Sequence, residues 1–254
     1  MKNKPEIIVM LTQNDITIQN ARDYFLSACD LDINNWGFKN TGIGNEEMFL
    51  LVKTIKEKGK TAILEIVNYD ESVCLDIVKT AAECGIDQIM GTVYSSAIHD
   101  FLDKRNIPYK PFIGKVSGNP SILEGGTQEI INDAKKLLDR GVCGFDLLAY
   151  RRSEKPEELA RAFIKEINNQ KAKTSISGGI SSFKQIDFLM DIGSWAFTIG
   201  SALFENKFAP AAPAVCDAPV ASYTSVASAA TDVSHTNFRE NLSAVFEYYL
   251  SINT

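Results

Sequence analysis

Four charged residues interrupt runs that are otherwise apolar and strand-like. Lys39 ends WGFK, Glu65 interrupts AILEIV, Lys110 lies in YKPF, and Asp146 interrupts GFDLLA. Burial of such charges is unfavourable unless they are paired or change protonation state, so we expect ion pairs or shifted pKa values. Two carboxylates and two lysines in one cleft could transfer protons, with the lysines as cations. Alternatively, a lysine amine could attack a carbonyl and form an imine.

Two turns of small residues follow one another in the C-terminal third of the chain. Residues 175–182 read SISGGISS and residues 197–204 read FTIGSALF, each after a strand-like run and before a helix-like one. Glycine leaves backbone N–H groups open to close approach by an anion. The predicted phosphate-binding residues are Gly178, Gly179, Gly200 and Ser201.

Four further polar residues are predicted to contact a substrate. Asn14 follows the first strand-like run, and Ser177 lies in the first glycine turn. Lys115 and Arg151 follow the fifth and sixth runs. Loops that follow strands commonly carry binding residues, which is why these side chains are candidates.

Strand-like runs alternate with amphipathic helical stretches along most of the chain, which is typical of a parallel sheet with helical crossovers. An open doubly wound sheet is the competing architecture, but no GxGxxG follows the first run. We therefore predict an α/β fold, a (β/α)8 TIM barrel, with the charged residues and both glycine turns at its mouth. The predicted strands are 6–12, 36–39, 61–67, 88–93, 109–114, 143–149, 173–177 and 195–200. The predicted helices include 46–59, 71–85, 127–141 and 155–168.

Composition narrows the range of partners. The chain has 254 residues and a net charge of −6, which argues against nucleic acid as a partner. No run approaches the roughly 20 apolar residues of a membrane span. Five cysteines without a CxxC pair favour reduced thiols, and we predict a cytoplasmic protein. The two histidines, His99 and His235, cannot build a multi-histidine metal site, and neither a metal nor a cofactor is predicted.

The segments SISGGISS and WAFTIGSALFENKF resemble the paired phosphate-binding turns of the ribulose-phosphate-binding (β/α)8 barrels. This superfamily includes isomerases of histidine and tryptophan biosynthesis, sugar-phosphate epimerases and related lyases. Residues 118–151 are also similar to uncharacterised barrels related to histidine biosynthesis. The resemblance implies the barrel fold and a small phosphorylated ligand. The histidine-pathway isomerases carry an aspartate at the end of the first strand, and here Asp15 lies a few residues beyond that strand.

The C-terminal region differs in composition from the rest of the chain. Residues 209–236 are rich in Ala, Ser, Val and Pro, and are predicted to form a low-complexity linker or lid after a barrel of residues 1–208. Within 237–254, the apolar stripe of NFRENLSAVFEYYLS predicts a helix capped by Asn237. This helix is expected to pack on the barrel, and the alternative is that it forms a homodimer.

Taken together, these residues predict an enzyme that acts on a small phosphorylated sugar or sugar acid. The favoured chemistry is isomerisation or epimerisation, with Glu65 and Asp146 as acid and base. One alternative is a lyase in which Lys39 or Lys110 forms an imine with the substrate. The other is a barrel that senses a phosphorylated metabolite without catalysis.

Overall fold

The computed structural model describes residues 4–167, 172–208 and 226–252 of the chain. Eight parallel strands in it close into a barrel, in which each strand pairs with its neighbours in sequence and the first pairs with the last. The predicted (β/α)8 barrel is confirmed. The strands are β1 (Glu6–Met10), β2 (Asn35–Lys39), β3 (Thr61–Ile66), β4 (Gln88–Val93), β5 (Tyr109–Phe112), β6 (Asp146–Leu147), β7 (Ser175–Ile176) and β8 (Ala196–Ile199).

Helices follow the strands, and polar residues at their first turns explain where several begin. The carboxylate of Asp70 accepts the N–H of Val73 before the third helix, and Ser182 accepts that of Gln185 before the seventh. None of the helices in the described residues is long and apolar enough to cross a membrane. The helices are α1 (Ala21–Ala28), α2 (Asn45–Glu57), α3 (Glu71–Glu83), α4 (Ser96–Asp103), α5 (Thr127–Leu138), α6 (Pro156–Ile167), α7 (Phe183–Ile192), α8 (Ser201–Phe204) and α9 (Val226–Ser251).

Alternation along the strands divides the core into two parts. Val9 and Leu64 belong to a large cluster that the strands share with the helices. Their neighbours Ile8 and Ile63 belong to a smaller cluster together with Met90. Successive strand residues point to opposite faces, so the small cluster fills the barrel interior and the large one lies between the sheet and the helices.

Two short hairpins extend the loops at the carboxyl ends of the strands. The first, between β1 and α1, pairs Thr12–Gln13 with Ile16–Thr17. The second, between β5 and α5, pairs Lys115–Ser117 with Ile122–Glu124. Both carry residues to the same end of the barrel as the glycine turns.

Helix α9 closes the ring of helices, because α8 spans only four residues after the last strand. It packs on α1 and α8, where the ring of Phe238 lies 5.5 Å from that of Tyr24 and 4.8 Å from that of Phe204. Arg239 adds a two-pronged ion pair to Asp30. The predicted helix on the barrel wall is therefore present.

The predicted boundaries of the C-terminal region need correction. Residues 209–225 lie outside the described residues, but α9 already begins at Val226, inside the range 209–236 that was predicted as a linker or lid. Asn237, predicted as the helix cap, lies within α9, where its carbonyl accepts a hydrogen bond from the side chain of Asn241. The alanine-rich composition of 226–236 is compatible with helix, since alanine is the best helix former.

We expect Phe238→Ala to lower the free energy of unfolding by about 3–5 kcal/mol, because Phe238 is fully buried between two aromatic rings. Phe49→Ala is the matched control, since Phe49 is 47% exposed on α2. The control should change stability by less than about 0.5 kcal/mol. Urea unfolding followed by circular dichroism measures both. Equal stability of the two variants would contradict the docking of α9.

Candidate active site

A cavity of about 460 Å³ opens at the carboxyl ends of the barrel strands. Its size is within the range of small-molecule sites. Most of the residues that the sequence singled out line it. These are Lys39, Glu65, Arg151, Ser177, Gly178, Gly179, Gly200 and Ser201.

The ammonium group of Lys39 is the centre of the charged network in this cavity. Its Nζ lies 2.7 Å from Oδ1 of Asp15 and 3.4 Å from Oε1 of Glu65. Arg151 reaches the same Oδ1 of Asp15, also at 2.7 Å. Lys39, Asp15 and Glu65 are all buried. The pairing therefore compensates for charges that would otherwise be costly to remove from water.

The protonation state of Lys39 follows from this pairing. Burial alone would lower its pKa, but the carboxylates of Glu65 and Asp15 outweigh burial and raise the pKa above its ordinary value. Lys39 is consequently a cation at neutral pH. An ammonium group has no lone pair, so in this arrangement Lys39 is suited to stabilise negative charge and not to attack a carbonyl.

The first hairpin carries Asp15 back over the barrel mouth. Asn14 and Asp15 both have left-handed backbone angles, with φ of 52° and 63°, which reverse the chain. The hydroxyl of Thr17 then fastens the hairpin to the end of β2, accepting the N–H of Lys39 and donating to its carbonyl. No role for Asp15 is predicted from the sequence alone. The Asn-Asp pair, a turn signal, could have indicated the reversal.

The two oxygens of Asp15 differ in their surroundings. Oδ1 receives both cations, whereas Oδ2 has no hydrogen-bond partner among the described residues. A carboxylate oxygen without a partner is a strong acceptor for a hydroxyl or a proton. The ion pairs hold the carboxylate group in a fixed place beside the cavity, with Oδ2 buried.

Asp146 lies behind the cavity wall, not on it. It is fully buried, and its Oδ1 accepts the hydroxyl of Ser177 at 2.5 Å and that of Ser175 at 3.4 Å. Burial, together with the charge of nearby Glu65, raises the pKa of Asp146 well above its usual range. Asp146 is therefore favoured in its neutral form and acts on the cavity through its hydrogen bond with Ser177.

The two glycine turns meet beside this network. A side chain at Gly178 would come within 2.7 Å of Arg151, and one at Gly200 within 2.8 Å of the Thr12 hydroxyl. Both glycines therefore allow neighbouring loops to pack closely. Within the described residues, the backbone N–H groups of Gly178, Gly179, Ser201 and Ala202 have no protein acceptor. Four free donors at one end of the cavity are suited to an anion.

The structure places Lys110 away from the mouth, and the expectation that it faces the mouth is wrong. Lys110 is the second residue of β5, and the mouth lies at the carboxyl ends of the strands. Its amino group donates to the side-chain carbonyl of Gln88 and lies 3.6 Å from the centre of the Trp195 ring. Gln88 begins β4 and Trp195 precedes β8, so this cluster lies at the amino-terminal end of the barrel.

Two predicted substrate contacts also lie outside the cavity lining. Lys115 is exposed on the second hairpin and pairs with Glu129 at 3.1 Å. Asn14 is exposed, and its backbone N–H donates to Oγ of Ser201 at 3.3 Å. Asn14 thus contacts the second glycine turn through its backbone. In the described parts of the chain, no group of three or more His, Cys, Asp or Glu side chains is arranged to hold a metal ion.

Comparison with known proteins identifies the fold. No protein-family model and no curated protein matches the chain. The native KDPGal structure matches with a TM-score of 0.61 at 13% identity, covering 98% of each chain. Orotidine 5′-monophosphate decarboxylase from Methanocaldococcus jannaschii, complexed with the inhibitor BMP, gives 0.56 at 15%, covering 80% of this chain and 92% of that one.

A regulatory protein shares the same architecture. The glycerol uptake operon antiterminator regulatory protein from Listeria monocytogenes matches with a TM-score of 0.53 at 16% identity, covering 77% of this chain and 91% of that one. Enzymes and a regulator therefore share this barrel. At such low identity the likeness shows the fold alone, because one barrel fold supports many activities.

We expect Lys110→Met to stabilise the protein in a pH-dependent way. Burial lowers the pKa of Lys110 to about 7 in the folded state, against an ordinary value of 10.5. Between these values the unfolded chain binds more protons, so the wild-type protein gains stability as pH rises from about 7 to 10.5. The variant's advantage should be roughly 2–4 kcal/mol below pH 7 and should fade toward pH 10.

Urea unfolding at several pH values between pH 6 and pH 10 checks this prediction. Lys184, an exposed residue on α7, supplies the control variant Lys184→Met. A stability advantage of Lys110→Met that does not change with pH would show that Lys110 is not neutralised by burial.

Proposed function

We propose that the protein is an enzyme that transfers protons on a small phosphorylated sugar or sugar acid, as an isomerase or epimerase. The observation that carries this proposal is the pair of carboxylates, Asp15 and Glu65, joined by the Lys39 ammonium in one cavity with the glycine turns. Proton transfer at carbon needs positioned carboxylates and a cation close to the developing charge. The cavity offers both.

The phosphate group is assigned to the two glycine turns. The free N–H groups of Gly178, Gly179, Ser201 and Ala202 support this assignment. Lys39 and Arg151 are already paired with carboxylates, so the backbone donors are better placed than these cations to receive the anion. The resemblance of both turns to those of ribulose-phosphate-binding barrels supports the same conclusion.

The chemistry follows from the position of the charges. A carboxylate removes the proton from a carbon next to the substrate carbonyl, and the electron pair moves onto the carbonyl oxygen. The Lys39 ammonium stabilises the resulting negative charge, and Arg151 holds Asp15 in place. The protonated carboxyl then delivers its proton to the former carbonyl carbon, while the hydroxyl proton on the adjacent carbon passes to the former carbonyl oxygen, which completes an isomerisation. An epimerisation requires the second carboxyl to start protonated, so that it delivers a proton to the opposite face of the carbon.

Asp15 and Glu65 are assigned to proton transfer, and Asp146 is assigned to positioning. Both Asp15 and Glu65 line the cavity, whereas Asp146 lies behind Ser177. The partnerless Oδ2 of Asp15 is the strongest candidate base. Asp146 accepts the hydroxyl of Ser177 and so orients this side chain, and it lies near the charge of Glu65.

The lyase alternative is less well supported by the same geometry. Lys39 is held as a cation by two carboxylates, and Lys110 lies at the opposite end of the barrel. Neither lysine is arranged as an amine facing the cavity. The sensor alternative predicts binding of a phosphorylated metabolite without turnover, and the following experiments distinguish it.

We expect Ser201→Asp to weaken binding of sugar phosphates by about tenfold or more, since it adds a negative charge at the proposed phosphate subsite. Ser117→Asp, on the exposed second hairpin, is the matched control. Thermal unfolding with a panel of sugar phosphates measures binding as a rise in Tm. If a sugar phosphate raises the Tm of Ser201→Asp as much as that of the wild type, the phosphate subsite does not lie at Ser201.

We expect the wild-type protein to incorporate solvent deuterium into one member of a ketose and aldose phosphate panel, observed by proton NMR in D2O. Glu65→Gln and Asp15→Asn should each reduce the rate at least about 100-fold, as expected for proton-transfer groups. Lys115→Ala, at a residue outside the cavity lining, should retain the wild-type rate. Borohydride should trap no adduct on Lys39.

Three outcomes would contradict this mechanism. A borohydride-stable adduct at Lys39 would favour the lyase. Tight binding of a sugar phosphate without deuterium incorporation would favour the sensor. Near-normal deuterium exchange in both carboxylate variants would show that the network of Asp15, Lys39 and Glu65 is a structural ion-pair cluster without a catalytic role.

A further inference from the structure

Tyr150 lines the cavity, but no step of the proposed mechanism uses it. It lies on the 3-10 turn Ala149–Arg151 that follows β6. Its phenolic oxygen is buried and has no hydrogen-bond partner among the described residues. A buried tyrosine hydroxyl normally finds a partner, so this one needs an explanation.

The unpaired hydroxyl carries a desolvation cost in the free protein. Burial also raises the pKa of the Tyr150 phenol well above its usual range. The phenol therefore keeps its proton at neutral pH and is a hydrogen-bond donor. Because the unpaired Tyr150 hydroxyl is destabilising, a bound state in which it donates a hydrogen bond to an acceptor is favoured.

The backbone of Tyr150 is fixed between the two functional parts of the cavity. Its N–H donates to the carbonyl of Ser177 at 3.2 Å, directly before the first glycine turn. Gly178 packs so closely that an added side chain would lie 3.2 Å from the Tyr150 carbonyl carbon. The next residue, Arg151, binds Asp15. Tyr150 is thus tied to the proposed phosphate turn on one side and to the carboxylate network on the other.

We propose that Tyr150 is a specificity-determining residue whose hydroxyl donates to a hydroxyl or carbonyl oxygen on the carbon chain of the phosphorylated ligand. This inference rests on the proposed function and deepens it. This hydrogen bond from Tyr150 would favour a sugar phosphate, which carries oxygen atoms on its carbon chain, over a plain alkyl phosphate, which does not. The oxygen is closed off from water in the free protein, so the bond forms through a small shift of the ring or of its turn on binding.

Thr174 supplies a matched control from the same chain. Its hydroxyl is also buried without a partner among the described residues, but it precedes β7 at the amino-terminal end and does not line the cavity. Replacing either unpaired hydroxyl by an apolar group removes the same kind of cost. Of the two residues, only Tyr150 lines the cavity.

The test compares wild type, Tyr150→Phe and Thr174→Val by thermal unfolding. Each is measured alone, with a panel of sugar phosphates that includes ribose 5-phosphate, and with n-butyl phosphate. Without ligand, both variants should match or exceed the wild-type Tm, by up to about 2–4 °C. Tyr150→Phe should bind the stabilising sugar phosphate about tenfold more weakly and n-butyl phosphate equally well. Thr174→Val should bind both as the wild type does.

Two results would overturn the inference, and they are distinguishable. If a sugar phosphate stabilises the wild type and Tyr150→Phe equally, Tyr150 has no role in specificity, but the proposed function stands. The same holds if Tyr150→Phe weakens sugar phosphate and n-butyl phosphate alike. If no phosphate in the panel raises the wild-type Tm, the proposed function fails, and the inference fails with it.

Discussion

A buried lysine charge between two carboxylates is the interaction on which the rest of the site depends. Lys39 ends β2, Glu65 lies on β3, and Asp15 arrives on a hairpin after β1, so one ammonium group joins three successive units of the barrel. Arg151, which follows β6, binds the same oxygen of Asp15 and so links a fourth unit of the barrel to this network. The network holds two positive and two negative charges. An anionic ligand must therefore find its neutralising partners elsewhere, at the backbone donors of the glycine turns.

Two lysines in the same barrel show how pairing decides the state of a buried amine. Lys39 and Lys110 are both buried on inward-facing strand positions. Lys39 meets carboxylates, which raise its pKa, whereas Lys110 meets an amide oxygen and an aromatic ring, and its pKa falls to about 7. Burial alone therefore does not predict whether a lysine will be a cation or an amine. The identity of the neighbours decides it.

The fold could be predicted from the sequence because local patterns determine it. The spacing of apolar residues that marks a strand or a helix is visible within each short segment of the sequence. The alternation of strands with helices then leaves few architectures besides a barrel. Inward-facing Lys39 and Glu65 were found in the same way, as charges in apolar runs. Lys110 shows the limit of that rule, since a charge in a strand faces the mouth only if it lies near the carboxyl end.

The remaining site residues depend on contacts that no local pattern contains. Asp15 reaches the cavity because two consecutive residues adopt left-handed angles and Thr17 fastens the hairpin to β2. The burial of Asp146 behind Ser177 depends on the register of two strands of only two residues each. The early start of α9 was obscured by composition, because a run rich in alanine and serine indicates a linker as readily as a helix.

The place of α9 in the ring of helices also bears on how the chain assembles as it is made. The last barrel strand ends at Ile199, and the helix that covers α1 and α8 begins only at Val226. Chains are synthesised from the amino terminus, and each domain folds as a unit. The sheet and every cavity-lining residue are therefore made before the last wall helix. Until α9 emerges from the ribosome, the aromatic rings of Tyr24 and Phe204 lack the cover that Phe238 gives them, and this part of the wall cannot complete its packing.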